Sequence, residues 1–429
     1  MSFVKYRYLI FVLLGTAYLL VFFHRLAPAV VAVDMMTDLK TGGVLMGLLA
    51  SAYFYPYALM QIPAGLLSDS WGPRRSIVFF FALAAAGSIG LGLAHTVAGA
   101  IVARVLVGMG AGMVFVPTLK ILTHWFEWSK FSRMSGLLMS LGGIGAFSAA
   151  TPLALLSDAI TWRGSMILMG VFTLIVAGLI WLLVRDTPKQ SGFPPLNDYT
   201  PSNVADTEKI AVLDGIFLVV RNRLFWPTAM CNFFGALVSL SINGLWGGPF
   251  LMHTYGMSRA QAGGVLSMMA IGLIFGAPFW NWLSHSVLYS RKKILMISQL
   301  SGLCIFALLA FFTGDFSKPQ LYLWFFFFNF SLSSIVVAGY SAVKDSFPIQ
   351  ISGTATGILN IFPFIGAALG QPLIGWYLDS VGAVGGRYPV EAYSAVFKIC
   401  LISLLAAVVA STLVKETLPK RRATAKKFA

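Results

Sequence analysis

The hydrophobic positions of this chain gather into long runs, at about 8–33, 42–66, 76–94, 97–121, 133–157, 164–184, 223–249, 260–284, 294–313, 319–342, 353–378 and 394–414. About 20 apolar residues cross a bilayer as a helix. The pattern therefore predicts an all-α polytopic membrane protein with about twelve transmembrane helices. The series is interrupted at 185–222, where Pro, Asn, Ser and mixed charge exclude a hydrocarbon environment. The chain then reads as an N-terminal six-helix half (1–184), a cytoplasmic linker (185–222) and a C-terminal six-helix half with a basic tail (223–429). Within the linker, Ile210 to Val220 fits either plain connecting chain or an amphipathic helix lying at the interface.

Composition agrees with this count. Of the 429 residues, 58% are hydrophobic and 10% charged, more apolar surface than a soluble domain can hide and far too much for a disordered chain. The 42 glycines and 19 prolines suit packed or kinked membrane helices. A net charge of +15 would suggest nucleic acid in a soluble protein. Here the basic residues sit in short runs between apolar stretches, as cytoplasmic loops do, so the expected partner is the lipid bilayer and no nucleic acid. If the N-terminus is inside and each span reverses the side, 22 of the 30 Lys and Arg residues fall inside. Both termini are thus expected in the cytoplasm, with the protein multi-pass in an inner or plasma membrane and monomeric. Lys5 and Arg7 ahead of an apolar run that ends in Ala27-Pro28-Ala29 imitate a cleaved signal peptide. Retention is expected, because removal would leave eleven spans and move the basic tail across the membrane.

Cys231, Cys304 and Cys400 stand apart, so neither a disulfide framework nor a metal site is expected. No G-x-x-x-x-G-K-[ST] loop is present for an ATP-driven pump, and no H-E-x-x-H, nucleophile elbow or cluster of intramembrane acids for an enzyme. No cofactor is expected.

Two segments echo each other. GLLSDSWGPRRS (65–76) falls between spans two and three, and WNWLSHSVLYSRKK (280–293) between spans eight and nine, as a 6+6 duplication would give. The first, with Gly65, Leu67, Asp69, Gly72, Arg74 and Arg75, resembles the G-x-L-x-D-x-x-G-x-R-R loop of the major facilitator superfamily, and the resemblance extends over nearly the whole chain. It implies a secondary transporter with two six-helix halves around a central cavity, working by alternating access. Gly65, Asp69, Gly72, Arg74 and Arg75 become gating residues, since an acid and a basic pair at helix ends can bind neighbouring termini and hold one state closed. A solvated positive-inside loop is the plain alternative. His285 occupies the second-half position of Asp69, so the echo is degenerate. Arg104 followed by Gly108, Gly110 and Gly112 resembles the family's span-four feature and is read either as a coupling residue or as a tie between helices. The G-x-x-x-G-P pattern of drug antiporters is missing from span five, which reads LGGIGAFSAATP.

Arg25 carries the most information. Its span has no other formal charge from Tyr8 to Val33, so the guanidinium lies near mid-membrane and should face a cavity. Tyr18 shares its helical face, and Pro28 can break the helix and free carbonyls for a ligand. The organic-anion and phosphate-ester branches of the superfamily similarly use an arginine in span one, which implies that Arg25 anchors a carboxylate or phosphate. An internal salt bridge or an interfacial position are the alternatives. Acids are scarce, however, with Asp34, Asp158 and Asp379 all near predicted span ends. Polar stripes complete the expected substrate set: Tyr53, Tyr57 and Gln61 on span two, Asn232, Asn243 and Trp246 on span seven, Asn329 on span ten and Asn360 on span eleven. Hydrogen bonding between helices would explain each stripe equally. Lys120 is read as snorkelling to headgroups.

The expected function is secondary transport of a small polar or anionic metabolite of carboxylate type. If protons are the coupling ion, as in symport, His24, Asp34 and Arg104 are the candidates. Amino acids or dipeptides are the alternative substrates, followed by drug efflux, and a non-transporting receptor would share the same fold.

Overall fold

The computed structural model describes residues 2–194 and 212–418. The middle of the expected linker and the basic tail from 419 onward lie outside the described residues. Ten helices are long and apolar enough to cross a membrane, and the pair Gly43–Leu59 and Gln61–Ser70, bent by 45°, makes an eleventh crossing. Thr161 takes a left-handed backbone (φ 67°) inside the apparent helix Thr151–Leu183. The chain turns there, so Trp128–Ser148 continued by residues 151–160 forms the twelfth. Large apolar side chains such as Val12, Phe79, Leu182 and Ile402 stand exposed around the bundle, as a lipid-facing surface requires. Val212–Arg221 is a separate short helix, with Phe217 and Leu218 exposed and Val219 buried.

Helix starts follow sequence signals. Ser258 with Gln261, and Ser317 with Gln320, form capping boxes at the beginnings of spans eight and ten. Many spans are broken, and proline explains the break in span one, which runs Phe3–Leu26 and then Pro28–Asp38. Pro28 has no N–H to give to the carbonyl four residues back, that of His24. Arg104 on span four fills the vacancy, donating from Nη1 to the His24 oxygen at 2.7 Å and from Nη2 to the Ala50 oxygen at 3.3 Å. The carbonyl that proline frees is therefore held by a side chain of the protein.

The end of the bundle where spans one and twelve have their termini is here called the terminal end, and the opposite one the distal end. At the terminal end each half is tied within itself. Asp186, after span six, accepts from the Arg74 backbone N–H at 2.7 Å and so caps span three, while Arg74 Nη1 reaches the Val184 carbonyl at 3.2 Å. Glu416, after span twelve, does the same for span nine, accepting from Arg291 N at 3.2 Å and from the Ser290 hydroxyl. Val184-Arg185-Asp186-Thr187 and Val414-Lys415-Glu416-Thr417 are thus a second echo of the duplication. The loop motif has an offset of five from Asp69 to Arg74 but six from His285 to Arg291, and the π-turn Leu283–Val287 supplies the extra residue.

At the distal end the halves are tied to each other. Arg259, at the start of span eight, pairs with Asp34 at 2.5 Å and Asp158 at 2.6 Å, both in the first half. The Asp379 carboxylate on span eleven accepts from the backbone N–H groups of Gly43 and Val44, at 2.7 and 2.8 Å, where span two begins, and receives the Tyr388 hydroxyl at 2.5 Å. Close backbone approach makes this possible. A Cβ on Gly248 would lie 1.7 Å from the Ala29 carbonyl oxygen, and one on Gly43 2.9 Å from that of Gly375. Among the described residues, every ion pair between halves lies at this end.

Two outcomes follow for the terminal caps. Asp186→Ala removes the cap of span three, a loss of about 1 kcal/mol, and is expected to lower the melting temperature by about 1 °C in a thermal scan of purified protein. An unchanged melting temperature would show that Asp186 does not cap. Burial acts to raise the Glu416 pKa, but hydrogen bonds from Ser290 and from the Leu418, Arg291 and Thr417 backbone outweigh it and hold the carboxyl below its ordinary value. A depressed carboxylate stabilises the fold above the unfolded pKa of about 4.3 and loses that contribution as pH falls through the folded value. The stability advantage of wild type over Glu416→Gln should therefore be full at pH 6 and shrink below about pH 4; a difference independent of pH would contradict the assignment.

Candidate functional site

Consecutive residues on span one point in different directions. His24 faces the interior of the first half, with Nε2 2.9 Å from the Thr173 hydroxyl. The space beside it and Arg104 is a cavity of about 10 Å³, room for one water and no solute. Arg25 instead faces the seam between the halves, buried to 7% exposure. Three rings surround its guanidinium carbon, Phe22 at 4.5 Å, Tyr57 at 4.8 Å and, from the second half, Phe364 at 5.0 Å. The Tyr53 hydroxyl donates to the Val21 carbonyl at 3.4 Å, which leaves its oxygen to face Arg25. Tyr18 lies close by, stacked on Phe115 at 5.1 Å.

Among the described residues no carboxylate pairs with Arg25, and its Nε has no hydrogen-bond partner. Cation–π contacts recover part of the desolvation cost of the charge, yet a buried unpaired ion still costs several kcal/mol. The arrangement is thus a preformed, underused cation at the junction of the two halves. On its terminal side runs a polar chain that crosses the seam. Gln61 Nε2 donates to the Tyr57 carbonyl at 3.3 Å, Asn360 Nδ2 to Gln61 Oε1 at 3.1 Å, and the Tyr340 hydroxyl to Asn360 Oδ1 at 2.7 Å. Asn232 borders Tyr340 and keeps an unpartnered buried amide nitrogen.

The fold brings together Arg25, Tyr18, Tyr53, Tyr57, Gln61, Asn232 and Asn360 from the expected substrate set. Trp246 and Asn329 stand elsewhere, each tying two helices: Trp246 Nε1 donates to the Gln371 carbonyl at 2.8 Å and Asn329 Nδ2 to the Met269 carbonyl at 2.6 Å. Asn243 lies half-buried in the π-turn Ile242–Trp246 of span seven. Of the expected gating residues, Gly72 needs its glycine for a φ of 98°, Gly65 borders open space, Arg75 is exposed and Arg74 serves span six. Asp69 takes Lys120, whose Nζ lies 2.5 Å from its Oδ1 and 2.8 Å from the Ser68 carbonyl. Lys120 is therefore a tie between spans two and four rather than a snorkelling chain. Asp34 belongs to the distal ion pairs and Arg104 to the span-one break. The rings of Phe22 and Phe364 were not anticipated from sequence, although helical spacing could have found them: Phe22 precedes Arg25 by three and Phe364 follows Asn360 by four.

Comparison with known proteins places this geometry. The chain is 23% identical over 393 residues to a probable hexose phosphate transport protein of Chlamydia trachomatis, covering 86% of this chain and 84% of the relative. It is 22% identical over 388 residues to a hexuronate transporter of Bacillus subtilis, covering 88% and 89%. In fold it superimposes on a bacterial homolog of the human lysosomal transporter Spinster with a TM-score of 0.77 at 18% identity, covering 95% of this chain and 96% of that one. A sequence model of the Major Facilitator Superfamily matches residues 10–248 and 228–429, so the chain belongs to this superfamily of multi-pass membrane transporters.

Proposed function

We propose that the protein is a secondary transporter of a small carboxylate-bearing metabolite, with Arg25 as the anchor for the carboxylate. The observation that carries this reading is a buried guanidinium between the halves with no carboxylate paired to it among the described residues. One cation balances one negative charge. Arg104 does not serve as a second, because its two Nη groups hold the His24 and Ala50 carbonyls and the cavity beside it, about 10 Å³, has no room for a solute, so a phosphate dianion would leave uncompensated charge in a dry site. Relatives named for hexose phosphate and hexuronate both concern small anions, and the single guanidinium favours the carboxylate. The Tyr57 hydroxyl supplies a further donor beside the anchor, while those of Tyr53 and Tyr18 already donate to the Val21 carbonyl and the Met139 sulfur, and Gln61, Asn360, Asn232 and Tyr340 form a polar edge for hydroxyls. Amino acids and cationic drugs fit less well, because among the described residues no acid pairs with Arg25 or stands beside it to receive an ammonium.

Transport follows from exchanging the closed end. With the basic terminal end in the cytoplasm, the ties of Arg259 to Asp34 and Asp158, and of Asp379 to Gly43 and Val44, close the outer side. Opening outward requires them to break. The charge of Asp34 strengthens its bond to Arg259, so protonation would weaken the tie, and this is where a proton would enter the cycle. His24 and Arg104 support the broken helix that presents Arg25.

Flux in proteoliposomes tests the anchor. Uptake of a labelled hexuronate by wild type should fall at least about 30-fold in kcat/KM for Arg25→Ala, the effect of removing one side of a buried charge pair, and Arg25→Lys should restore only part of it, lacking the planar fork. Undiminished uptake by Arg25→Ala would refute the anchor; binding without flux in wild type would identify a receptor.

Spin labels at Lys40→Cys and Glu391→Cys, exposed positions on opposite halves of the distal end, test the outer ties. Arg259→Gln should add a population at longer distance. An unchanged distribution would show that Arg259 does not hold this end. Asp34→Asn should flatten the pH dependence of uptake, and full retention of that dependence would remove Asp34 from coupling.

A further inference from the structure

The seam between spans two and eleven carries a groove of about 280 Å³ lined by Phe54, Tyr55, Ala58, Leu59, Ile361 and Phe364, among others. It opens sideways, toward the lipid-facing surface: Leu59 is 74% exposed, and Tyr55 and Ile365 are partly exposed beside it. Hydrogen bonds between the halves frame it at both ends, Tyr55 hydroxyl to the Ala368 carbonyl at 3.1 Å and Asn360 to Gln61 at 3.1 Å. The Tyr55 hydroxyl is engaged there, so the groove presents carbon to whatever enters.

Its back wall is also a wall of the Arg25 site. Phe364 lies 5.0 Å from the Arg25 guanidinium carbon, 4.4 Å from Tyr57 and 6.1 Å from Phe54. One layer of rings therefore separates an apolar groove from a buried cation whose Nε lacks a partner. Phe364 stands in the first turn of Phe362–Val381, just past the break that follows Ile349–Leu359, and the facing helix breaks at Met60. For a ligand to span both spaces this ring must swing aside, and it stands beside two helix breaks rather than within a continuous helix.

We propose that this groove is a tail subsite that joins the Arg25 site when the Phe364 ring swings aside, and that the protein accepts monocarboxylates with an alkyl chain, head on the guanidinium and tail in the groove. The inference rests on the anchor role of Arg25 and extends it to the shape of the substrate. A sugar-like body gains nothing from carbon walls, whereas each methylene that leaves water for such a groove tightens binding by about three- to fourfold.

The test is calorimetric titration of nanodisc-reconstituted protein with straight-chain carboxylates from acetate to octanoate, each below its micelle concentration, and with octanol as the neutral control. Affinity should rise with chain length by about 100-fold or more across the series, and octanol should bind at least about 10-fold more weakly than octanoate. Ala58→Phe and Ile365→Trp, which fill the groove from either helix, should keep acetate binding and abolish the rise. Arg25→Ala should abolish the preference for octanoate over octanol. Acetate binding that depends on Arg25 with no rise along the series would overturn the tail subsite while leaving the anchor intact. A rise that persists in both filled variants, or octanol binding as tightly as octanoate, would also overturn it. Failure of every carboxylate to bind would overturn the anchor itself.

Discussion

An arginine side chain held between apolar helices, with no acid paired to it among the described residues, is the constraint around which this molecule is arranged. Removing a guanidinium from water is costly unless an opposite charge meets it, and Arg25 has aromatic rings and a tyrosine hydroxyl where an acid would stand. The protein tolerates the charge by partial compensation. In the proposed function a small anion from outside completes it, with the geometry a planar fork prefers. The break in span one serves this placement. Pro28 frees the His24 carbonyl, Arg104 takes it, and the neighbouring residue is presented to the seam. One arginine thus holds the backbone that presents the other.

The two ends of the bundle use acids differently. At the terminal end, Asp186 and Glu416 cap helices of their own half, so each half is tied within itself. At the distal end, Asp34, Asp158 and Asp379 reach across to the other half. Such contacts are strong only while both halves meet, which makes them breakable as a group. Rigid halves with separable contacts are what rocking about a central site requires. The glycines at Gly43, Gly47 and Gly248 bring the backbones into range, since a Cβ at any of them would collide with the opposite half.

Much of this was legible in the chain. Apolar runs count helices directly, because hydrocarbon admits little else, and Tyr18 and Arg25 were grouped by spacing within one helix. The seam network of Gln61, Asn360 and Asn232 was visible as separate stripes. A stripe records a polar helix face, however, and does not say whether its donors meet a cavity or another helix's carbonyl. Trp246 and Asn329 meet carbonyls, and nothing within their own spans distinguishes them from Asn360. The pairing of Arg259 with Asp34 joins residues 225 positions apart, beyond any local pattern. The echo of Val184-Arg185-Asp186-Thr187 in Val414-Lys415-Glu416-Thr417 could have been read, and with it the caps that fix each half.

The most direct test of the central claim is a thermal-shift screen of purified protein with small carboxylates, phosphate esters, amino acids and cationic drugs, run in parallel on Arg25→Ala. A ligand that binds only the folded state raises apparent stability, by about 2.7 kcal/mol at a hundred times its Kd. Carboxylates should stabilise the wild type, and that stabilisation should disappear in the variant. Stabilisation confined to neutral or cationic compounds, and equal in the variant, would contradict this and return Arg25 to a structural role.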